Sequence, residues 1–153
     1  MIANQTAPAC REIKIIDHNS ADYLQMVSLR YKLLREPLGL KFSDEDLAAE
    51  RDDVLLLCTE NETTIGCAVL SGNGPGVMKL RQMAVDSGWQ GKGIGGKIVA
   101  FAEQYCLENH FETMVLHARK TAAGFYEKLG YRITGNEFIK VSIPHFAMEK
   151  KQA

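Results

Sequence analysis

The chain has 153 residues, with 18 Lys and Arg against 19 Asp and Glu and a formal net charge of −1. That balance argues against a dedicated nucleic-acid binder, which would be strongly basic, and the length predicts one domain able to bury on the order of 70% of its unfolded surface. With 46% hydrophobic and 24% charged residues, and no apolar run near the roughly 18 residues that suggest a membrane span, a soluble protein with no membrane partner is expected.

Met1 to Pro8 has neither a basic segment nor a continuous apolar one, so a cytoplasmic location is expected and residues 1–10 read as a tail on a domain covering 1–153. Glu12 to Ile16 alternates as a first strand, and Asp17 to Ser20 supplies cap residues. Leu24, Val27, Tyr31 and Leu34 then recur at helical spacing, and Pro37 and Gly39 end that helix. Asp44 to Glu50 reads as a short acidic helix or a loop with a solvated face. Val54 to Cys58 and Ile65 to Leu70 are apolar runs joined by Glu60-Asn61-Glu62-Thr63, the pattern of a hairpin. After the loop Ser71 to Gly76, Val77 to Val85 is the next strand, and alternation places Lys79, Arg81 and Met83 on one face unless a bulge intervenes.

Ile94, Ile98, Phe101, Ala102 and Tyr105 trace a helical stripe. Thr113 to Ala118 reads as a buried strand, and Lys120 to Leu129 as a second packing helix with the stripe Ala122, Phe125, Tyr126 and Leu129. Tyr131 to Ile133, and Phe138 to Ile143 or Phe146 to Glu149, complete the strands, with Gly135-Asn136 as a turn. The expected fold class is α/β of the α+β type, a mixed sheet of about six to seven strands flanked by about four helices. Cys10, Cys58, Cys67 and Cys106 form no C-x-x-C pair, and three of them lie in apolar runs, so they read as core residues. His18, His110, His117 and His145 are scattered, and no metal site is expected.

Gln90-Gly91-Lys92-Gly93-Ile94-Gly95-Gly96 joins a strand to a helix. A glycine loop opening a helix suits an anion, because the backbone approaches closely, its N–H groups are free and the helix dipole adds positive charge. Three phosphate-binding templates fit the letters. Gly91, Gly93 and Gly96 satisfy G-x-G-x-x-G, but five residues separate them from the strand and Glu112 would precede the next strand when an acidic residue should end it. Gly91 to Lys97 fits most of G-x-x-x-x-G-K-[ST], but Ile98 stands where a hydroxyl must ligate Mg²⁺. The third, Gln/Arg-x-x-Gly-x-Gly/Ala, is met by Gln90, Gly93 and Gly95 between strand and helix.

That third pattern resembles motif A of the GNAT superfamily of acyl-CoA N-acyltransferases. Downstream, Ala123-Gly124-Phe125-Tyr126-Glu127-Lys128-Leu129-Gly130-Tyr131 is similar to the family's closing helix. Leu34 to Gly39, Leu80 to Val85, His117-Ala118-Arg119 and Ile143-Pro144-His145-Phe146-Ala147-Met148 resemble a bacterial subgroup of small GNAT proteins, so the likeness spans about Leu34 to Lys150.

The resemblance implies an N-acetyltransferase that takes an acetyl group from acetyl-CoA and passes it to a primary amine on a small molecule or peptide. It assigns the coenzyme A pyrophosphate to Gln90, Gly91, Lys92, Gly93, Ile94, Gly95 and Gly96, with charge added by Lys92 and Lys97. It assigns the pantetheine arm and thioester carbonyl to the backbone at Met83 and Val85. Tyr126 corresponds to the tyrosine that can protonate the departing thiolate, and Thr121 stands where the family often has a cofactor-contacting Asn. No motif transfers the general base. His117, His145 and Glu137 are candidates, with His145 preferred as the catalytic residue on the acceptor side. Two other readings stay open: a coenzyme-A-binding sensor of the same fold without turnover, and a dinucleotide-binding domain. A homodimer is also open.

Overall fold

Asn61 and Glu62, at the tip of the expected hairpin, both take positive φ (50° and 69°), the backbone a tight two-residue reversal requires. They join β2 (Val54–Glu60) to β3 (Thr63–Gly72) in the computed structural model, which describes residues 11–152. The tail expected at 1–10, and Cys10 with it, lie outside the described residues. β1 (Arg11–Ile16) pairs antiparallel with β2, and β3 pairs antiparallel with β4 (Val77–Val85). β4 runs parallel to β5 (Thr113–Arg119), the connection being α3 (Ile94–Glu108).

Beyond β5 the chain forms α4 (Ala123–Lys128) and the short strands β6 (Arg132–Ile133) and β7 (Phe138–Lys140). It ends in β8 (Ile143–Lys151). β8 pairs antiparallel with β5, β6 and β7, giving one mixed sheet in the order β1-β2-β3-β4-β5-β8-β6, with β7 also on β8. The sheet therefore has eight strands, where six to seven were expected. The difference lies at the C-terminal end, where the two stretches expected as alternatives became β7 and a nine-residue β8. Pro144 is tolerated in β8 at the short β7 pairing, near the strand's start.

Two apolar clusters sandwich the sheet. On one face α3 and α4 cover Leu56, Ala68, Leu80, Met114 and Leu116. The approach is so close that a Cβ at Gly66 would stand 2.9 Å from Ile98 Cδ1, which is why β3 carries glycine there. Cys58 and Cys106 belong to this core, and Cys67 to the other, as small buried side chains.

On the opposite face α1 (Ala21–Arg30) lies over β3 and β4. Its buried face is Tyr23, Met26, Leu29 and Arg30. The expected stripe beginning at Leu24 is corrected: Leu24 is 69% exposed. Helical spacing alone could not choose between the two stripes, because the true one carries two polar tips that find partners inside. Arg30 is fully buried and grips Glu50 with two 2.7 Å bonds, while the Tyr23 hydroxyl donates to the same carboxylate at 2.7 Å. Burial alone would raise the Glu50 carboxyl, but the Arg30 guanidinium and the Tyr23 hydroxyl outweigh it and hold Glu50 below its ordinary value.

The chain then leaves α1 through a π turn (Tyr31–Arg35) and a 3₁₀ turn (Glu36–Leu38), closed by Gly39 at φ 71°. α2 (Asp44–Ala48), the acidic segment, is a short helix with a Ser43/Asp46 capping box.

Candidate active site

β4 and β5 pair only from Val77–Thr113 to Leu80–Leu116. Past that point the two parallel strands part, and the backbone of the second half of β4 has no neighbour on its β5 side. The cause is local. The β3–β4 register shifts by one residue between Cys67↔Ala84 and Val69↔Arg81, and Gln82 sits in the gap with φ 52°, a β-bulge that bends the strand away. The bulge also corrects the face assignments. Arg81 keeps the α1 face, but Met83 is turned to the α3 face, where its Cε lies 3.7 Å from the position of a Cβ on Gly95. The Gln82 Oε1 is left buried without a hydrogen-bond partner among the described residues, a cost that a donor entering from outside would relieve.

The glycine loop closes the α3 side of this opening. Asp86 caps a 3₁₀ turn (Ser87–Trp89) by accepting from the Gly88 N–H at 3.1 Å, and the Gln90 side-chain amide donates to the Val85 carbonyl at 2.9 Å. Gly93, at φ 81°, is the N-cap of α3. It offers no side chain to the helix end, the first turn contains no acid, and the first helical bond is Lys97 N–H to the Gly93 carbonyl. The N–H groups of Ile94, Gly95 and Gly96 thus have no intrahelical acceptor at a fifteen-residue helix's positive end.

A cleft of about 590 Å³ lies over this end. Of the residues assigned to the cofactor by sequence, Met83, Val85, Gln90, Gly91, Gly93, Ile94, Gly95, Gly96 and Tyr126 line it. Gly96 faces open space, with nothing within 4 Å of a Cβ placed there. Lys92 is not part of the lining; its ammonium sits over the Trp89 ring at 5.3 Å.

A second cleft of about 510 Å³ opens on the other side of the parted strands and shares Met83, Val85, Gln90, Ala122 and Tyr126 with the first. Thr121 lines this second cleft, not the first. Tyr126 is 7% exposed and packs edge-on against Phe125 and Tyr131. Burial pushes its phenol up to about 12, so it stays protonated through the neutral range.

His145 is buried at the start of β8, with Nδ1 2.7 Å from the Ile143 carbonyl. A carbonyl only accepts, so this contact places a proton on Nδ1 and points Nε2 away from that bond. His117 stands on β5 beside it, its Nδ1 3.4 Å from Lys140 Nζ and its ring edge-on to Phe138. Partial burial, with the Lys79 and Lys140 charges, pulls His117 down to about 4, so it is neutral at pH 7. Glu137, the third candidate base, pairs with Lys120 at 2.8 Å and does not line the cleft.

Arg35, Arg119 and Lys140 also line this second cleft, and sequence reasoning passed over them as site residues. Arg119 had a signal: it follows His117 by two on β5 and so shares its face. Arg35 and Lys140 come from a π turn and a three-residue strand, which no periodicity announces.

Comparison with known proteins agrees with this geometry. The acetyltransferase (GNAT) domain family matches residues 39–152. The uncharacterized protein YyaT of Bacillus subtilis (strain 168) is 32% identical over 112 residues, which cover 72% of this chain and 74% of that one. Among solved structures, Escherichia coli ElaA superposes with a TM-score of 0.80 at 16% identity, covering 92% of this chain and 99% of its own. An aminoglycoside 6'-N-acetyltransferase complexed with coenzyme A superposes with a TM-score of 0.79 at 17% identity, covering 93% and 97%. At such identities the structures speak for the fold, and the family match speaks for the activity. The chain belongs to the GNAT acetyltransferase family and is an acyl-CoA-dependent N-acetyltransferase.

Proposed function

We propose that acetyl-CoA binds with its pyrophosphate on the free N–H groups of Ile94, Gly95 and Gly96. Its pantetheine arm then lies along the unpaired edge of β4 at Met83 and Val85, and the acceptor amine enters from the second cleft. The observation that carries this reading is the coincidence of two unsatisfied backbone edges. The parted β4 and the uncapped, acid-free start of α3 meet in one continuous opening. Free backbone donors at a helix start and along a strand edge suit an anion and an extended amide-bearing arm that displace water from them. Acetyl-CoA supplies a thioester carbonyl already activated toward amines.

The residues around that carbonyl divide the remaining work. The β4 N–H at Met83 or Val85 is available to hydrogen-bond a carbonyl oxygen and stabilise charge that develops on it. The Tyr126 hydroxyl, at the junction of the two clefts, donates a hydrogen bond to the departing sulfur. With the phenol near 12, that role is stabilisation of a thiolate, whose ordinary value is about 8.5, more than outright proton transfer in the resting site. His145 Nε2 accepts a proton from the incoming ammonium or amine, its ring held by the Ile143 carbonyl. Both groups line the same cleft, and the rest of the rate comes from holding amine and carbonyl together.

Gly96→Glu tests the donor half. The position is helical and open, so a side chain fits the fold, but a carboxylate would occupy the anion site. Calorimetric affinity for acetyl-CoA should fall at least about 100-fold, while the melting temperature stays within a few degrees. Undiminished binding would remove this loop as the pyrophosphate site.

A further inference from the structure

The second cleft is cationic in a protein that is not. The chain carries a net charge of −1, yet this cleft is lined by Arg35, Arg81, Arg119 and Lys140, together with two histidines, and among the described residues no Asp or Glu lines it. Lys79 adds a fifth positive group on the same face, paired in register with Ser71 on β3 and Val115 on β5.

Four carboxylates in the surrounding elements already have partners. Glu50 is held by Arg30 and Tyr23; Asp46 closes the capping box with Ser43; Glu137 pairs with Lys120, and Glu149 with Arg132 at 2.6 Å. Arg81 has acidic company at 3.5 Å from Asp53 and 3.9 Å from Glu50, and the Asp46 charge reaches Arg35. Arg35, Arg119, Lys79 and Lys140 have no carboxylate within ion-pair distance among the described residues.

The cations also weigh on one another. Lys140 and Lys79 are held below their ordinary values first by burial and then by positive charges of this same group, and Arg35 by burial, by Arg30 and by Arg119 and Arg81, with Asp46 opposing. Converging, partly desolvated like charges cost stability in the free protein, and the cost is offset only when an anion enters. A cleft built for a polyamine or another polycation would carry carboxylates in these places.

Resting on the acetyltransferase reading of this site, we infer that the acceptor is a small amine that also bears an anionic group, a carboxylate or a phosphate. That group is held by Arg119, Lys140 and Arg35 while its amine faces His145 and Tyr126. The volume of about 510 Å³ suits a molecule of metabolite size.

The test compares matched amines with the full-length protein and acetyl-CoA, following thiol release. The carboxylate arm sets β-alanine against propylamine, the phosphate arm sets phosphoethanolamine against ethanolamine, and spermidine is the cationic arm. The anionic member of at least one pair should have kcat/KM at least about tenfold above its neutral partner, and spermidine should be the poorest substrate. The arm that responds identifies the anion. Arg119→Gln and Lys140→Gln, neither of which breaks an ion pair among the described residues, should raise KM about tenfold more for that anionic amine than for its neutral partner.

A preference for spermidine or for the neutral amines would overturn the inference, as would variants that slow all amines alike. If no amine is turned over, the melting temperature with coenzyme A present decides. β-Alanine or phosphoethanolamine should raise it in the parent and not in Arg119→Gln, and no such shift counts against the inference. Calorimetry with acetyl-CoA alone separates the two levels: retained binding without anion preference removes only the acceptor class, whereas absent binding removes the site reading beneath it.

Discussion

The two clefts that meet at Tyr126 are made from different materials. The donor side is backbone: glycines at positive φ, an uncapped helix start and a strand edge freed by a bulge at Gln82. The acceptor side is side chain, drawn from the π turn after α1, from β4, β5, β7 and the start of β8. A backbone site recognises what every donor of the family shares, a pyrophosphate and an amide-bearing arm, and it needs few particular residues beyond glycine. A side-chain site can change its ligand by exchanging a cation for a carboxylate without disturbing the fold. On the proposed reading, donor and acceptor are thus held on separate surfaces, with Tyr126 lining both.

A sharper contrast lies between two kinds of arginine on the α1 face. Arg30 is buried and gripped by Glu50, whereas Arg35 and Arg119 have no carboxylate within ion-pair distance among the described residues. Breaking the first should be costly to the fold. Arg30→Met leaves the buried Glu50 with only the Tyr23 hydroxyl and a distant Arg81, and denaturant unfolding should show a loss of about 3 kcal/mol. The pH dependence follows from the sign of the Glu50 shift. A carboxyl held below its unfolded value contributes stability that is present above that value, near 4.5, and is lost as pH falls through the lower folded value. Glu50→Gln should therefore flatten the acid limb of the stability curve. A parent and a variant with parallel acid limbs would contradict the assignment.

Next in size is Tyr126→Phe, which removes the hydroxyl at the junction while keeping the packed ring. Turnover should fall about 100-fold or more with acetyl-CoA affinity nearly unchanged, the behaviour of a group that acts only as the reaction proceeds. A fully active variant would leave the junction without its thiolate donor and move attention to the β4 backbone.

The elements of the proposed donor side were legible because their grammar is local. The Gln90–Gly96 spacing, the helix after it and the Phe125-Tyr126 helix downstream lie close to the chemistry they serve, and they placed nine assigned cofactor residues in one cleft. The acceptor side was not. The bulge at Gln82 depends on how β3 and β4 settle against each other, so alternation put Met83 on the wrong face. Leu24 was chosen over Tyr23 and Arg30 because a periodic reading rewards apolar letters and cannot see that Glu50, twenty residues on, neutralises the arginine. Arg35, Arg119 and Lys140 converge only after β5 pairs with β8 and β7 folds onto it.

The central claim is that donor and acceptor are bound by these two separate surfaces. Acetyl-CoA affinity measured by calorimetry on the parent, Gly96→Glu and Arg119→Gln tests it most directly. The account predicts a loss of at least about 100-fold in Gly96→Glu and a change within about twofold in Arg119→Gln. Loss of acetyl-CoA binding in Arg119→Gln with Gly96→Glu unaffected would show that the assignment of the two clefts is reversed.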